Sequence, residues 1–106
     1  MIPQQRDLLI AEVMGLKKEA TLAGDLYVII DGKCKLWNPS ENAEQREMIE
    51  DWLIKQGYVI TFGRAKEQSW YIIEKDLGTG KQIINKLKSE AFLSAVGELC
   101  INLNQK

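Results

Sequence analysis

The stretch LWNPSENAEQREMIEDWLIKQGY, residues 36 to 58, carries the signals of a loop, a helix and the start of a strand in direct succession. Asn38 precedes Pro39, and a residue in that position is pushed towards extended backbone. Ser40 follows as a candidate N-cap, and Glu44 lies where a carboxylate suits the positive end of a helix. The pattern predicts that a helix starts just after residue 40.

The body of this helix has one apolar stripe and one charged side. The stripe consists of Met48, Ile49, Trp52 and Leu53. Gly57 then favours a turn into a strand that begins at Tyr58. Capping and burial explain most of the stretch as scaffold, and Trp37 and Asn38 are the loop positions left without a role.

Upstream, the sequence predicts one helix and one hairpin. Residues 4 to 15 place apolar side chains at helical spacing, and residues 17 to 25, KKEATLAGD, are a polar connection. Residues 25 to 30 form a β-rich run, and Asp31-Gly32 is a two-residue hairpin turn before KCKLW returns.

Downstream, YVITF and SWYIIEK are β-rich runs that the segment GRAKEQ joins into a second hairpin with a basic tip. DLGTG is a turn, and KQIINKL is either a short strand or the lead-in to a helix. The segment from Ser89 to Leu103 is the most periodic of the chain and predicts a helix with Ser89 as its N-cap. Its interior Gly97 is expected to mark close helix packing.

These elements predict the fold class. A chain of 106 residues fits a single domain, here residues 1–106. Hairpins with helices before, between and after them favour the α+β class. We expect a three-layer α-β-α sandwich with an antiparallel β-sheet.

Composition restricts the function. The formal net charge is −1, so no overall field attracts nucleic acid, and we do not expect long nucleic acid as a partner. The absence of histidine excludes the commonest nucleophilic triads and histidine-ligated zinc. Cys34 and Cys100 are expected to be reduced, partly buried thiols that hold no metal. We therefore favour a non-enzymatic binding protein without a cofactor.

The sequence shows neither a secretory signal nor an apolar run long enough to span a bilayer. We therefore expect no membrane association and a cytoplasmic location.

Three short patterns have both a chemical and a structural interpretation. Gly78-Thr79-Gly80-Lys81 has part of a phosphate-loop motif, but the remaining motif positions do not match and a β-turn explains it. Cys34 lies between two lysines, which favour a reactive thiolate, although nothing supplies the rest of a mechanism. The acidic residues between 41 and 51 suggest metal or acid chemistry, but their spacing follows the solvated side of the helix.

Aromatic and basic residues on the hairpins suggest a nucleotide site. Aromatic rings stack on bases, and arginine and lysine hold phosphates. The alternative is that two of the rings belong to the core and that the lysines only solubilise the tips. The predicted ligand-binding residues are Lys33, Trp37, Arg64, Lys66, Trp70 and Tyr71.

Three short segments resemble the phage ABA-sandwich domain family across most of the chain. They are Ala11-Glu12-Val13-Met14-Gly15, the helix start Asn38-Pro39-Ser40, and the C-terminal GELCINL. The chain departs from the family at Leu16, where a tryptophan is common. The resemblance implies a phage or prophage origin, a sandwich fold around an antiparallel sheet, and no assigned catalytic residue.

The resemblance also suggests candidate functions. Small phage proteins of similar fold include sponges that sequester nucleotide second messengers of bacterial immunity, such as those of Thoeris or CBASS. A cyclic nucleotide or an ADP-ribose-type molecule is then the expected ligand, held at the interface of a homo-oligomer. One alternative is a protein that occupies a host protein through the acidic helix face of residues 41 to 51. A metal-dependent enzyme acting on a nucleotide is the other.

Overall fold

The computed structural model describes residues 3–19, 25–74, 81–85 and 88–104. Within these ranges the chain forms three helices and six strands. In chain order they are α1 (Pro3–Met14), β1 (Lys17–Glu19), β2 (Tyr27–Ile30), β3 (Lys33–Leu36), α2 (Ala43–Lys55), β4 (Val59–Ala65), β5 (Gln68–Glu74), β6 (Lys81–Asn85) and α3 (Lys88–Asn104).

The first sheet has the strand order β1-β2-β3, and both pairs are antiparallel. Asp31 and Gly32 form the predicted turn between β2 and β3, with φ angles of 52° and 78°. Positive φ at both central residues suits the right-handed twist of a two-residue hairpin. The polar segment after α1 was predicted to be only a connection, and this was wrong for its first three residues, because Lys17–Glu19 pairs with β2.

The second sheet has the strand order β4-β5-β6 and is also antiparallel. Ala65 pairs with Gln68, so the predicted GRAKEQ connection is largely strand and only Lys66 and Glu67 form the turn. The segment before α3 is a strand over Lys81–Asn85. The predicted DLGTG turn, residues 76 to 80, lies wholly outside the described residues.

Helix α2 begins later than the loop sequence predicts. Its N-cap is Asn42, whose Oδ1 accepts a hydrogen bond from the Gln45 backbone N–H at 3.1 Å. Ser40 is therefore not the cap, and its Oγ accepts instead from the Arg6 guanidinium at 2.9 Å. The predicted exit at Gly57 is confirmed, since this residue has a φ of 92°.

Helix α3 packs against α1 and against the second sheet. It begins at Lys88, so the prediction of Ser89 as its N-cap was wrong. The close packing predicted at Gly97 is confirmed, because a Cβ at this position would lie 2.9 Å from Cγ of Arg6.

One hydrophobic cluster joins all three helices to strands of both sheets. Its largest fully buried side chains include Ile10 of α1, Val28 of β2, Ile49 and Leu53 of α2, and Phe92 of α3. The α+β class with antiparallel strands and a sandwich of helices and sheet is confirmed. The strands lie in two sheets of three, where the sequence suggested one.

None of the helices in the described ranges combines the length and the apolar character that crossing a bilayer requires.

Candidate functional site

Trp37 is a structural residue of the junction between β3 and α2. Its backbone N–H donates to the Leu26 carbonyl, and its indole Nε1–H donates to the Asp7 carbonyl, both at 2.8 Å. The side chain lies in the core, with only 3% of the residue exposed. Trp37 thus links the loop between β3 and α2 to α1 and to the segment just before β2.

Gln45 completes the same junction from inside α2. Its Nε2 donates to the Leu36 carbonyl at 2.6 Å, and its Oε1 accepts from the Asn38 N–H at 2.7 Å. Sequence reasoning missed this residue, although Gln45 precedes Ile49 by four positions and therefore belongs to the buried stripe. The two loop positions left unexplained by the sequence, Trp37 and Asn38, both have scaffold roles.

Arg6 is a buried cation that joins three distant segments. Its Nε donates to Oδ1 of Asp7 at 3.1 Å, its Nη1 to Oε2 of Glu90 at 2.8 Å, and its Nη2 to Ser40. Burial raises the pKa of the Asp7 carboxyl, and the neighbouring guanidinium opposes that shift. Because its donors are used by the protein itself, this cluster is a structural tie between α1, α3 and the loop before α2.

The predicted nucleotide-binding residues do not converge on one surface. Tyr71 is only 3% exposed, and its ring packs 5.2 Å from that of Phe92. Trp70 immediately precedes Tyr71 in β5, so its side chain points to the opposite face of the sheet. The predicted stacking role of Trp37 or Tyr71 is incompatible with this burial, because neither ring has a free face.

The predicted basic residues are exposed but belong to different sheets. Lys33 lies in β3 of the first sheet. Arg64 is near the end of β4, and Lys66 follows in the turn of the second hairpin. Half-exposed Trp70 pairs with Gly63, and its indole occupies the space that a Cβ at Gly63 would need. Only Arg64, Lys66 and Trp70 therefore remain on one hairpin.

Helix α2 presents a different candidate surface, which we call the acidic face. It consists of Glu41 in the loop just before the helix and of Glu44, Glu47, Glu50 and Asp51 in the helix. Four of these residues are exposed and Glu50 is half-exposed. Ile54 follows at helical spacing from Glu47 and Glu50, and 61% of this isoleucine is exposed. The acidic face therefore ends in an apolar side chain that the core does not use.

A groove runs along each side of the acidic face. The α2–α3 groove has a volume of about 600 Å³ and is lined by Ala43, Arg46, Glu47, Glu50, Asp51, Tyr71, Ser89 and Phe92. The α1–α2 groove measures about 390 Å³ and is lined by Met14, Leu16, Glu44, Glu47, Met48, Asp51, Trp52 and Lys55. Glu47 and Asp51 border both grooves and form the ridge between them.

One of the two cations of α2, Arg46, is held by the protein itself. Nη1 of Arg46 donates to the carbonyls of Pro39 and Ser40 at 2.8 and 3.0 Å. Burial raises the pKa of the Tyr71 hydroxyl, Glu50 adds to this shift and Arg46 opposes it. The Tyr71 hydroxyl is therefore neutral near pH 7, and Tyr71 is one of the residues that line the α2–α3 groove.

The cysteines lie in different environments. Cys100 is fully buried in α3, and burial raises the pKa of its thiol to about 12. Cys34 is exposed on β3, so the prediction that it is partly buried was wrong. Among the described residues no three acidic or cysteine side chains are grouped so as to hold a metal ion.

Comparison of the chain with family models, with curated proteins and with solved structures gives no significant match. Membership of the phage ABA-sandwich family stays a prediction from the short segments that resemble it.

Proposed function

We propose that the protein is a non-enzymatic binding protein that docks a basic surface of a partner protein on the acidic face of α2. In the phage setting that the family resemblance implies, the partner is a bacterial host protein. The observation that carries the proposal is the exposed ridge of Glu47 and Asp51, which has a groove on each side.

The shape of this surface suits a protein partner. A single helix supplies the ridge, so its geometry is fixed by the packing of Ile49 and Leu53 into the core. Partner side chains that enter the two grooves would straddle the ridge and exclude water from it. Ile54 offers an apolar contact beside the carboxylates, and such contacts contribute strongly when they become fully buried in an interface.

The charge of the surface selects a basic partner. The acidic face has five carboxylates, whereas α2 contributes only Arg46 and Lys55 as cations, and Arg46 is bound to loop carbonyls. Complementary charge accelerates association and rejects acidic surfaces. Complex formation should therefore weaken with added salt, because mobile ions screen exposed charges beyond about 10 Å at 0.1 M.

The proposal is tested by capture from a bacterial lysate with the immobilised protein. The test variant reverses two ridge charges, Glu47→Lys with Asp51→Lys, and a second variant truncates the apolar contact, Ile54→Ala. We expect one stoichiometric protein on the wild type that both variants lose. These side chains are exposed, so the variants should keep the fold.

The matched control is Glu67→Lys, which makes the same type of charge change in the exposed β4–β5 turn. It should retain the captured protein. A band retained equally by the ridge variants and by the control would remove the acidic face from the interface.

A second candidate function is sequestration of a nucleotide second messenger on the β4–β5 hairpin. It is favoured by the half-exposed indole of Trp70, which lies on the same hairpin as exposed Arg64 and Lys66. An indole supplies a stacking surface and the two cations supply phosphate contacts. The observation is weaker than the one for α2, because Arg64 and Trp70 lie on opposite faces of the sheet.

This second function is tested by thermal unfolding with cyclic dinucleotides, cyclic trinucleotides and ADP-ribose isomers. A ligand at about a hundred times its dissociation constant adds roughly 2.7 kcal/mol to the free energy of unfolding. We expect ligands of one chemical class to raise the melting temperature. Arg64→Ala should reduce this rise without changing the melting temperature of the free protein. A flat panel would count against sequestration and leave the α2 proposal standing.

A further inference from the structure

A third groove lies between α1 and the first sheet, away from the acidic face. Its volume is about 510 Å³, which is within the range of roughly 300–1,000 Å³ usual for small-molecule sites. Its apolar lining comes from Leu8, Leu26, Leu36 and Trp37. Leu36 is 44% exposed, so part of this apolar surface faces solvent in the free protein.

The polar lining of this groove is predominantly acidic. Asp7, Glu19 and Asp25 contribute carboxylates, and Lys18 is the cation among the described lining residues. Nζ of Lys18 is paired with Oε1 of Glu12 at 2.8 Å, and the Asp7 carboxylate accepts from Arg6. Within the described ranges neither Glu19 nor Asp25 has a cationic partner.

We propose that this groove binds a small organic amine, with the apolar body of the ligand against Leu26 and Leu36 and its ammonium group beside Glu19 and Asp25. The apolar lining provides the contact area, and the carboxylates of Glu19 and Asp25 supply the charge complementarity that selects a cation. The same charges disfavour phosphate-bearing ligands, so this site differs in ligand class from the nucleotide site considered on the second hairpin.

Trp37 provides a spectroscopic reporter in the lining of this groove. The indole N–H of Trp37 is fixed by the Asp7 carbonyl, and both residues line the groove. The chain has three tryptophans, and Trp52 and Trp70, which are not among the lining residues, supply internal reference signals. Proton–nitrogen NMR of the three indole groups therefore reports on occupancy at a known position.

The test titrates the protein with phenethylamine and, separately, with 2-phenylethanol, which replaces the ammonium group with a neutral hydroxyl. We expect phenethylamine at millimolar concentration to move the Trp37 indole signal while those of Trp52 and Trp70 stay in place. The neutral analogue should bind at least roughly tenfold more weakly, because it lacks the charge that Glu19 and Asp25 attract.

The double variant Glu19→Gln with Asp25→Asn should reduce phenethylamine affinity to that of the neutral analogue and leave the indole spectrum of the free protein unchanged. Both side chains are exposed, so the fold does not depend on their charge. An unmoved Trp37 signal, equal binding of the alcohol, or full affinity in the double variant would each overturn the proposal.

Discussion

Trp37 was predicted from the sequence to stack on a ligand, but in the structure it holds two chain segments together by hydrogen bonds. Its indole nitrogen bonds the first helix and its backbone bonds the loop before β2, so the ring locks the β3–α2 junction. Trp37→Phe removes the indole donor and leaves a gap beside the Asp7 carbonyl.

We expect Trp37→Phe to lower the free energy of unfolding by about 1–3 kcal/mol, the usual range for a lost buried hydrogen bond with a small cavity. Urea denaturation measures the change. Trp70→Phe is the control, because half-exposed Trp70 should contribute less. Equal midpoints for wild type and Trp37→Phe would contradict the fastening role.

The cysteines provide a second prediction. Cys34 is exposed, whereas Cys100 is fully buried and the pKa of its thiol is raised to about 12. Thiolates are the reactive form, so a colorimetric disulfide reagent near neutral pH should titrate one thiol quickly and the second only after denaturant is added. Cys34→Ser should abolish the fast phase. Two fast thiols in the wild type would contradict the burial of Cys100.

Some of these residue roles could be predicted from the sequence and others could not. The helical stripe that identifies Ile49 also includes Gln45, so a polar residue on the buried face was detectable. The burial of Arg6 was not, because its partners Ser40 and Glu90 lie 34 and 84 positions away. Only the folded chain brings these groups together.

Among the elements, α3 depends on a close approach to α1 that Gly97 permits. Alanine is a better helix former by about 1 kcal/mol, yet a Cβ at this position would lie 2.9 Å from Cγ and 3.4 Å from Cδ of Arg6. Hydrogen bonds to Asp7, Ser40 and Glu90 hold the Arg6 side chain, so it has little freedom to move away.

Gly97→Ala should therefore lower the thermal midpoint despite the gain in helix propensity. The control is the same substitution in an Arg6→Ala background, where the clash is absent and alanine should be neutral or stabilising. Thermal unfolding of the four proteins in this cycle gives the coupling between the two positions. If the effects of the two substitutions on the thermal midpoint were additive, the contact between positions 97 and 6 would be contradicted.

Substitutions at the start of α2 distinguish the observed N-cap, Asn42, from the predicted one, Ser40. Asn42→Ala removes the side-chain acceptor of the Gln45 N–H and should cost about 1 kcal/mol of stability. Asn42→Asp keeps the acceptor and should restore most of it. Chemical denaturation measures both, and an unchanged stability of Asn42→Ala would show that the helix start does not depend on this cap.

Elements with strong local patterns were predictable, and those defined by their neighbours were not. The hairpin at Asp31-Gly32 and the periodicity of α3 are encoded locally. Strand β1 is a short exposed KKE segment without apolar alternation, and its backbone pairing with β2 defines it.

For the molecule as a whole, the fold class was predicted correctly from the sequence, but the residues of the predicted nucleotide site lie on different surfaces of the structure. Consecutive residues of a strand point to opposite faces, so Trp70 and Tyr71 could not share a stacking surface. A net charge of −1 also conceals an uneven distribution, because acidic residues concentrate on α2 while Lys33 and Lys66 lie on the hairpins. This distribution leads us to propose protein binding through α2.

The most direct measurement is photocrosslinking from the acidic face. A benzophenone amino acid replaces Ala43, an exposed residue that lines the α2–α3 groove beside the ridge, in one protein and Glu67 in the β4–β5 turn in another, and both are irradiated in bacterial lysate. We predict one discrete adduct from position 43 that high salt and Asp51→Lys diminish, and no such adduct from position 67. The same adducts from both positions, or none from position 43, would contradict binding through α2.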